Sequence, residues 1–331
     1  MKRVKGLFVL EAWTRELIYG EAGVKAAEEW LEPLAAPMTP KELLARPEVL
    51  RECEVILSGW GGPCLDAEFM CNAPALKAFL YGAGTVRGLV TDAMWDAGVR
   101  VSTAVAGNGI PVAEYTLATI LLGLKRFWQQ SDVYRGILPK DAVHVAGGFE
   151  STVGLVSLGT IGRRVCELLK PFDVKVIAYD PFAKEADAHA LGVTLVSLDE
   201  VFTRSDVVSL HIPNLEETRG MITGAHLESM KQSAVLINTA RGAVVREDEM
   251  ADVLAKRKDL YAVLDVTIHE NLEADAPLLK LPNVIRTPHI AGSQGNECRR
   301  MGRMMLDELA RYTRGEALLY EVTRERAAVM A

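Results

Sequence analysis

Three groups of residues in this sequence have types and spacings that could do chemistry. The first is Gly154-Leu155-Val156-Ser157-Leu158-Gly159-Thr160-Ile161-Gly162, which follows an apolar run and opens a helical pattern. Gly159 would let the main chain come close to a pyrophosphate. Gly162 would allow the helix to pack tightly on the strand, and the helix N-terminus at Thr160 and Ile161 would offer its amides to the phosphates. Asp180 closes the next apolar run. A carboxylate there can accept hydrogen bonds from ribose hydroxyls and repels a 2′-phosphate, which favours NAD over NADP. The first glycine of G-x-G-x-x-G is Ser157 here, so the motif is imperfect. A glycine turn between strand and helix is weak by itself; with strand, helix and acidic residue all in place the dinucleotide reading is much the stronger.

The second group stands at the ends of later apolar runs. It comprises His211-Ile212-Pro213-Asn214, Asn238-Thr239-Ala240-Arg241-Gly242, Asp265 with His269-Glu270 beyond it, and Thr287-Pro288-His289. In a parallel doubly wound sheet these ends share one edge, where the ligand crevice forms. Singly, each has an ordinary explanation. A histidine at a strand end is more often structural, Arg241 could pair with a helix C-terminus, and Glu270 could be a solvated loop residue. His211, His269 and His289 compete for any histidine role. The third group is two glycine-rich loops, Ser58-Gly59-Trp60-Gly61-Gly62 and Gly82-Ala83-Gly84-Thr85, where a backbone could approach a ligand or simply turn.

The elements that must hold these residues follow from hydrophobic pattern. Strands are expected at Leu7–Leu10, Val55–Leu57, Ala78–Tyr81 and Val99–Ser102, with helical stretches such as Lys41–Ala45 and Ala67–Ala73 between them. From Ser151 the βα rhythm becomes regular. Strands are expected at Thr152–Val156, Lys175–Tyr179, Asp206–His211, Ala234–Asn238, Leu260–Asp265 and Val284–Thr287, and helices at Ile161–Lys170 and Arg246–Arg257. A long helix is expected over Val112–Gln130, with Pro111 at its first turn and Glu114 at the positive end of its dipole. Its apolar content exceeds what a one-sided surface helix needs, so it is a core helix or part of a subunit interface. A final amphipathic helix, Asn296–Arg314, ends at Gly315 as a C-cap. No structure is assigned to the tail beyond it.

Composition bounds the class. With 331 residues the chain is long enough for about two domains. Hydrophobic residues make up 49% and charged residues 24%, which excludes a disordered or fibrous protein. A net charge of -7 argues against nucleic acid and anionic membrane as partners. The apolar run Leu117–Leu124 is short of the roughly 20 residues that span a bilayer. Five cysteines, Cys53, Cys64, Cys71, Cys166 and Cys298, show no C-x-x-C pair and no metal spacing. Reduced thiols in the cytoplasm are therefore expected, with no metal.

In these blocks the sequence resembles the D-isomer-specific 2-hydroxyacid dehydrogenases, the group of phosphoglycerate, glyoxylate/hydroxypyruvate and D-lactate dehydrogenases. The carriers are Ser157–Gly162 with Asp180-Pro181, Leu210-His211-Ile212-Pro213, Asn238-Thr239-Ala240-Arg241-Gly242, Leu264-Asp265-Val266, and Asn283 through Gly292 with Thr287-Pro288-His289. Upstream, Asn108-Gly109-Ile110-Pro111-Val112-Ala113-Glu114 looks like the family's Asn-x-x-x-Val-Ala-Glu block. The match runs in order from about Gly82 to Gly302, and the Asn-Thr-Ala-Arg-Gly and Thr-Pro-His blocks are specific to the family.

The resemblance implies an α/β fold of two Rossmann-like or flavodoxin-like doubly wound parallel-sheet domains with a cleft between them. Residues 1–103 and 295–331 would form a discontinuous substrate domain, and 104–294 the NAD-binding domain inserted in it. It also implies a homodimer formed through the Val112–Gln130 helix. His289 corresponds to the catalytic acid/base, Glu270 to its carboxylate partner and Arg241 to the substrate-binding arginine. The amides of Ala83 and Gly84 correspond to the substrate-carboxylate loop, with Asn108 near the substrate and Asp265 near the nicotinamide carboxamide. His211, Pro213 and Thr239 join Gly159, Thr160, Ile161, Gly162 and Asp180 in the implied cofactor site, and Trp60, in the first glycine loop, is a candidate wall of the substrate pocket or equally a core anchor.

The chemistry suits these types. Protonated His289 can give a proton to a ketone oxygen as negative charge builds on it, and general acid catalysis is worth about 10²–10⁴-fold. Glu270 would orient the imidazole and favour its charged form. The planar fork of Arg241 suits a 2-oxo acid. The expected activity is NAD(H)-dependent interconversion of a 2-oxo acid and a D-2-hydroxy acid. Two departures bear on the substrate. Glu270 is followed by Asn271 where the family commonly has Pro, and Thr85-Val86-Arg87-Gly88-Leu89-Val90 replaces an Asp-Asn-rich segment. The alternative is an NAD(H)-sensing binding protein of the corepressor type with little turnover. Formate dehydrogenase is disfavoured, because Glu270 stands where that branch has Gln, and a short-chain reductase fails for want of Tyr-x-x-x-Lys.

Overall fold

The computed structural model describes residues 3–269 and 276–330. The chain divides into two compact units, one of residues up to Gly109 together with Ser293–Met330, the other Ile110–Gly292. The first crossing falls within a helix, a few residues beyond the sequence expectation of 103.

In the first unit, β1 (Val4–Phe8), β2 (Leu31–Pro33), β3 (Val55–Ser58), β4 (Ala78–Tyr81) and β5 (Arg100–Thr103) form a parallel sheet in the order β2-β1-β3-β4-β5. This is the flavodoxin-like winding. In the second unit, β6 (Thr152–Val156), β7 (Lys175–Tyr179), β8 (Val193–Leu195), β9 (Val207–Leu210), β10 (Val235–Asn238), β11 (Tyr261–Leu264) and β12 (Val284–Arg286) are all parallel. Their order is β8-β7-β6-β9-β10-β11-β12, so the winding reverses between β6 and β9, the dinucleotide-binding switch point of a Rossmann sheet. The Val/Ile/Leu runs of β9, β10 and β11 are buried along their whole length, as expected where helices cover both faces. The chain then returns to the first unit and adds β13 (Glu321–Val322) antiparallel to β5.

The long helix is Val105–Leu124, not Val112–Gln130. Pro111 lies inside it rather than at its first turn, so the cost of one missing amide donor is borne in mid-helix. The helix ends where Arg126 turns left-handed (φ 53°), and a second helix, Phe127–Tyr134, follows. Arg126 is fully buried and fixes this break. Its Nη1 donates to the carbonyls of Gly123 and Asp206, both at 3.0 Å, and its Nε to that of His144 at 3.0 Å. Burial lowers its pKa to about 10, which still leaves it charged. By length and composition alone Val105–Leu124 could cross a membrane (mean hydropathy 1.2 over its most apolar 18 residues), and 44% of that stretch is buried in the fold. A Cβ on its Gly123 would lie 3.1 Å from Val207 and 3.5 Å from Val235, so the helix sits closely on β9 and β10.

The amphipathic helix expected as the final one, Cys298–Thr313, ends before Gly315 (φ 71°), and a short helix, Arg324–Ala328, follows it near the end of the chain. The segment beyond it is ordered by a buried acid. Glu308 accepts from Ser102 Oγ at 2.6 Å and from the amides of Leu319 (2.9 Å) and Tyr320 (3.2 Å), which leads the chain into β13. Arg100 and Glu321 then pair across β5 and β13 at 2.7 Å.

Candidate active site

The glycine loop of the second unit joins β6 to the helix Thr160–Leu169. A Cβ on Gly162 would fall 2.2 Å from the carbonyl oxygen of Ser157, so only glycine permits this approach. A Cβ on Gly159 would meet nothing nearer than Ser157 Oγ at 3.8 Å. Gly159 is thus exposed on open space, at an N-cap position with no capping side chain. The helix amides at Thr160 and Ile161 therefore lack the usual side-chain acceptor, and an anionic phosphate fits there. Ser157, in the place of the first glycine, does take the left-handed conformation that glycine would provide (φ 81°).

Asp180 holds that loop. Its Oδ2 accepts from Leu158 N at 2.6 Å and from Ser157 Oγ at 3.4 Å, and its Oδ1 accepts from the amides of Phe182 (2.8 Å) and Ala183 (3.0 Å). Both oxygens are already engaged with the protein, which leaves a ribose only their remaining lone pairs.

At the end of β9, His211 is half-buried beside Gly162, and Ser209 Oγ lies 3.2 Å from its Nε2. Burial lowers its pKa to about 4, so the ring is neutral at pH 7. Pro213 follows in the same connection, and its carbonyl accepts from Thr218 Oγ1. At the end of β10, Asn238 shapes the arginine loop. Its Oδ1 accepts from Ala240 N and its Nδ2 donates to Arg241 O, both at 3.0 Å. Gly242 then presses on the next loop, where a Cβ would stand 2.0 Å from the carbonyl carbon of Thr267. Arg241 is half-buried, with Nη1 donating to Ala240 O at 2.6 Å.

Asp265, at the end of β11, is 2% exposed and organises the segment that carries His289. Its carbonyl accepts from His289 N at 3.0 Å. Its Oδ1 accepts from Thr287 Oγ1 (2.6 Å) and Ile290 N (2.8 Å), and its Oδ2 from Ala291 N (2.8 Å). His289 itself is exposed and left-handed, with φ 56°. Glu270 lies outside the described residues. The segment leading to it is fastened by Glu247, whose Oε1 accepts from Ile268 N at 2.6 Å, and burial raises the Glu247 pKa.

In the first unit the two expected loops end neighbouring strands. Trp60 follows β3, is half-buried and packs against the cores on both faces of the sheet, the behaviour of an anchor. Ala83 and Gly84 follow β4, and the Ala83 amide already donates to Tyr81 O at 2.8 Å. Asn108 lies beside Gly84, its Nδ2 3.6 Å from where a Cβ would stand, and its Oδ1 accepts from Ser293 N at 2.9 Å.

Two polar residues of the second unit, Tyr115 and Thr116, escaped the sequence reading, while Asn238 and Thr287 stood in its motifs without a role of their own. Tyr115 OH lies 3.2 Å from Thr287 Oγ1, and Thr116 Oγ1 lies 3.2 Å from Thr239 Oγ1. Tyr115 and Thr116 adjoin the Val-Ala-Glu block, which was the one available signal.

The family model described as "D-isomer specific 2-hydroxyacid dehydrogenase, NAD binding domain" matches residues 119–291. The chain is 31% identical to a glyoxylate reductase of Korarchaeum cryptofilum over 312 residues, 92% of each. It is 32% identical to a D-3-phosphoglycerate dehydrogenase of Archaeoglobus fulgidus over 255 residues, 76% of this chain but only 48% of that protein, so it spans about half of that relative's length. The NAD-complexed structure of a D-isomer specific 2-hydroxyacid dehydrogenase from Lactobacillus delbrueckii superposes with a TM-score of 0.78 at 22% identity, covering 97% of this chain and all of the other.

Proposed function

This chain belongs to the D-isomer specific 2-hydroxyacid dehydrogenases, with an NAD-binding second unit, and from that premise we propose that it interconverts a 2-oxo acid and a D-2-hydroxy acid with NAD(H). The observation that carries the reading is the lock of Asp265 on the His289 segment, at the sheet edge that also bears the Gly159–Gly162 loop and Arg241.

The amides at Thr160 and Ile161, with Gly159 and Gly162, would hold the pyrophosphate, and Asp180, which holds the loop, would contact a ribose through its remaining lone pairs. His211, Pro213 and Thr239 complete the proposed cofactor surface, and Asp265, expected near the nicotinamide carboxamide, is turned on its own loop and shapes that surface from behind. A nicotinamide held there would supply the hydride to C2 of the oxo acid in one direction and take it back in the other. Arg241 would fix the carboxylate and carbonyl oxygens through its planar fork. His289 would give a proton to the carbonyl oxygen on reduction and remove it on oxidation. His211, neutral at pH 7, is a poor rival as proton donor. Glu270 is assigned as the carboxylate partner of His289 on its motif alone. In the first unit, Gly84 and Asn108 are the proposed substrate contacts, with Ala83 shaping their loop and Trp60 bracing it.

We further read the chain as a cytoplasmic homodimer. Its cysteines are unpaired, which suits a reducing compartment. Leu122, Phe127 and Tyr134, on the long helix and the one after it, are 39%, 53% and 94% exposed, an apolar surface suited to a second copy. Sedimentation equilibrium tests this; a monomer at micromolar concentration would refute it.

The activity is tested by NADH oxidation against a panel of 2-oxo acids. Glyoxylate comes first, because the glyoxylate reductase match spans nearly the whole chain, and the oxo acid of 3-phosphoglycerate second. Turnover with at least one acid, lost in His289→Gln with NADH still bound, is expected. Tight NADH binding without turnover on any acid would favour a binding protein instead.

A further inference from the structure

One turn of the long helix reaches both loops assigned to the chemistry. Tyr115 OH lies 3.2 Å from Thr287 Oγ1, and Thr287 Oγ1 lies 2.6 Å from Asp265 Oδ1. A carboxylate only accepts, so Thr287 donates its single hydroxyl proton to Asp265. Tyr115 must then be the donor to Thr287, and the chain runs in one direction, Tyr115 to Thr287 to Asp265. Asp265 in turn receives the amides of His289, Ile290 and Ala291. The next residue, Thr116, is fully buried and meets the Thr239 hydroxyl two residues before Arg241. Adjacent helix positions diverge by about 100°, so one turn can serve two neighbouring strand ends.

We propose that the Tyr115–Thr116 turn positions the two reactive loops, Tyr115 acting on the His289 segment through Thr287 and Asp265, and Thr116 acting on the Arg241 loop through Thr239. The proposal rests on the roles given above to His289 and Arg241. Tyr115 and Thr116 are positioning residues, since neither is placed against the reacting atoms. A left-handed histidine is an uncommon main-chain state that persists only where its surroundings hold it. The Tyr115 hydroxyl is suited to a fixed donor role, because burial raises its pKa and keeps it protonated.

The test uses isosteric deletions in the full chain. Tyr115→Phe and Thr287→Val should each lower kcat about threefold to tenfold, the value of one hydrogen bond, with both KM values within about twofold. Thr287→Ser, which keeps the hydroxyl, should restore kcat. The Tyr115→Phe/Thr287→Val double variant should be no slower than Thr287→Val alone, since both break one chain. Thr116→Val should instead raise the KM of the oxo acid about threefold to tenfold with kcat nearly kept. A merely structural role would lower Tm and all parameters together, without this split, and would overturn the proposal. Parental kcat in Tyr115→Phe, with His289→Gln inactive, would overturn it while sparing the assignment of His289. An active His289→Gln would overturn both.

Discussion

The left-handed main chain of His289 is tied to Asp265 at three consecutive amides, its own at 3.0 Å to the Asp265 carbonyl and the next two at 2.8 Å to the carboxylate. Asp265→Asn replaces one acceptor oxygen with a donor amide that faces those N–H groups. The expected result is a loss of about 1–3 kcal/mol of stability, the cost of leaving a buried donor unpaired. With it goes a fall in kcat of about tenfold or more. Urea unfolding and steady-state kinetics check this; unchanged values of both would deny Asp265 an organising role.

Gly162→Ala places a methyl group 2.2 Å from the Ser157 carbonyl oxygen, a main-chain atom with no rotamer to escape into. The loop must move away from the helix N-terminus. NADH affinity measured by fluorescence titration should fall about tenfold or more, with some 1–3 kcal/mol of overpacking strain. Gly159→Ala is the control for stability, since its Cβ would enter open space.

Arg241→Lys keeps the charge and loses the fork. Bidentate recognition of a carboxylate needs the planar guanidinium, so the KM for the oxo acid should rise about tenfold or more, while NADH affinity stays within twofold. Parental KM in this variant would move the carboxylate contact elsewhere.

His211 supplies a pH test. Its folded pKa, about 4, is below the usual 6.5 because burial disfavours the charged ring. The unfolded chain therefore binds a proton between pH 6.5 and 4 that the folded chain refuses. Stability should fall as pH drops through that window, by at most about 1.4 kcal/mol per unit, and be unaffected above it. His211→Gln should flatten the slope of unfolding free energy against pH between 4.5 and 6.5. An unchanged slope would assign the acid sensitivity to other groups.

The strands of the second unit were legible because β6, β9, β10 and β11 are buried runs with few polar residues to confuse the period. The short edge strands β2, β8 and β13 were not, being two or three residues long with exposed positions. The start of the long helix was misplaced because Pro111 suits a first turn on local grounds, and only packing holds it in mid-helix. The break after that helix depends on Arg126, whose burial among three main-chain carbonyls no local pattern announces.

Residue types at strand ends are a one-dimensional property. The chain's order of apolar runs and polar terminators therefore determined the parallel sheets, the glycine loop and the grouping of Arg241, Asp265 and His289 on one edge. Hydrogen-bond direction is not such a property. Whether Asp180 and Asp265 turn outward to a ligand or inward to amides depends on which donors the fold brings within about 3 Å. Here both carboxylates are turned on their own loops. The tertiary structure alone decided that these acids, together with Tyr115 and Thr116 from a distant helix, hold the loops on which the candidate proton donor and arginine stand.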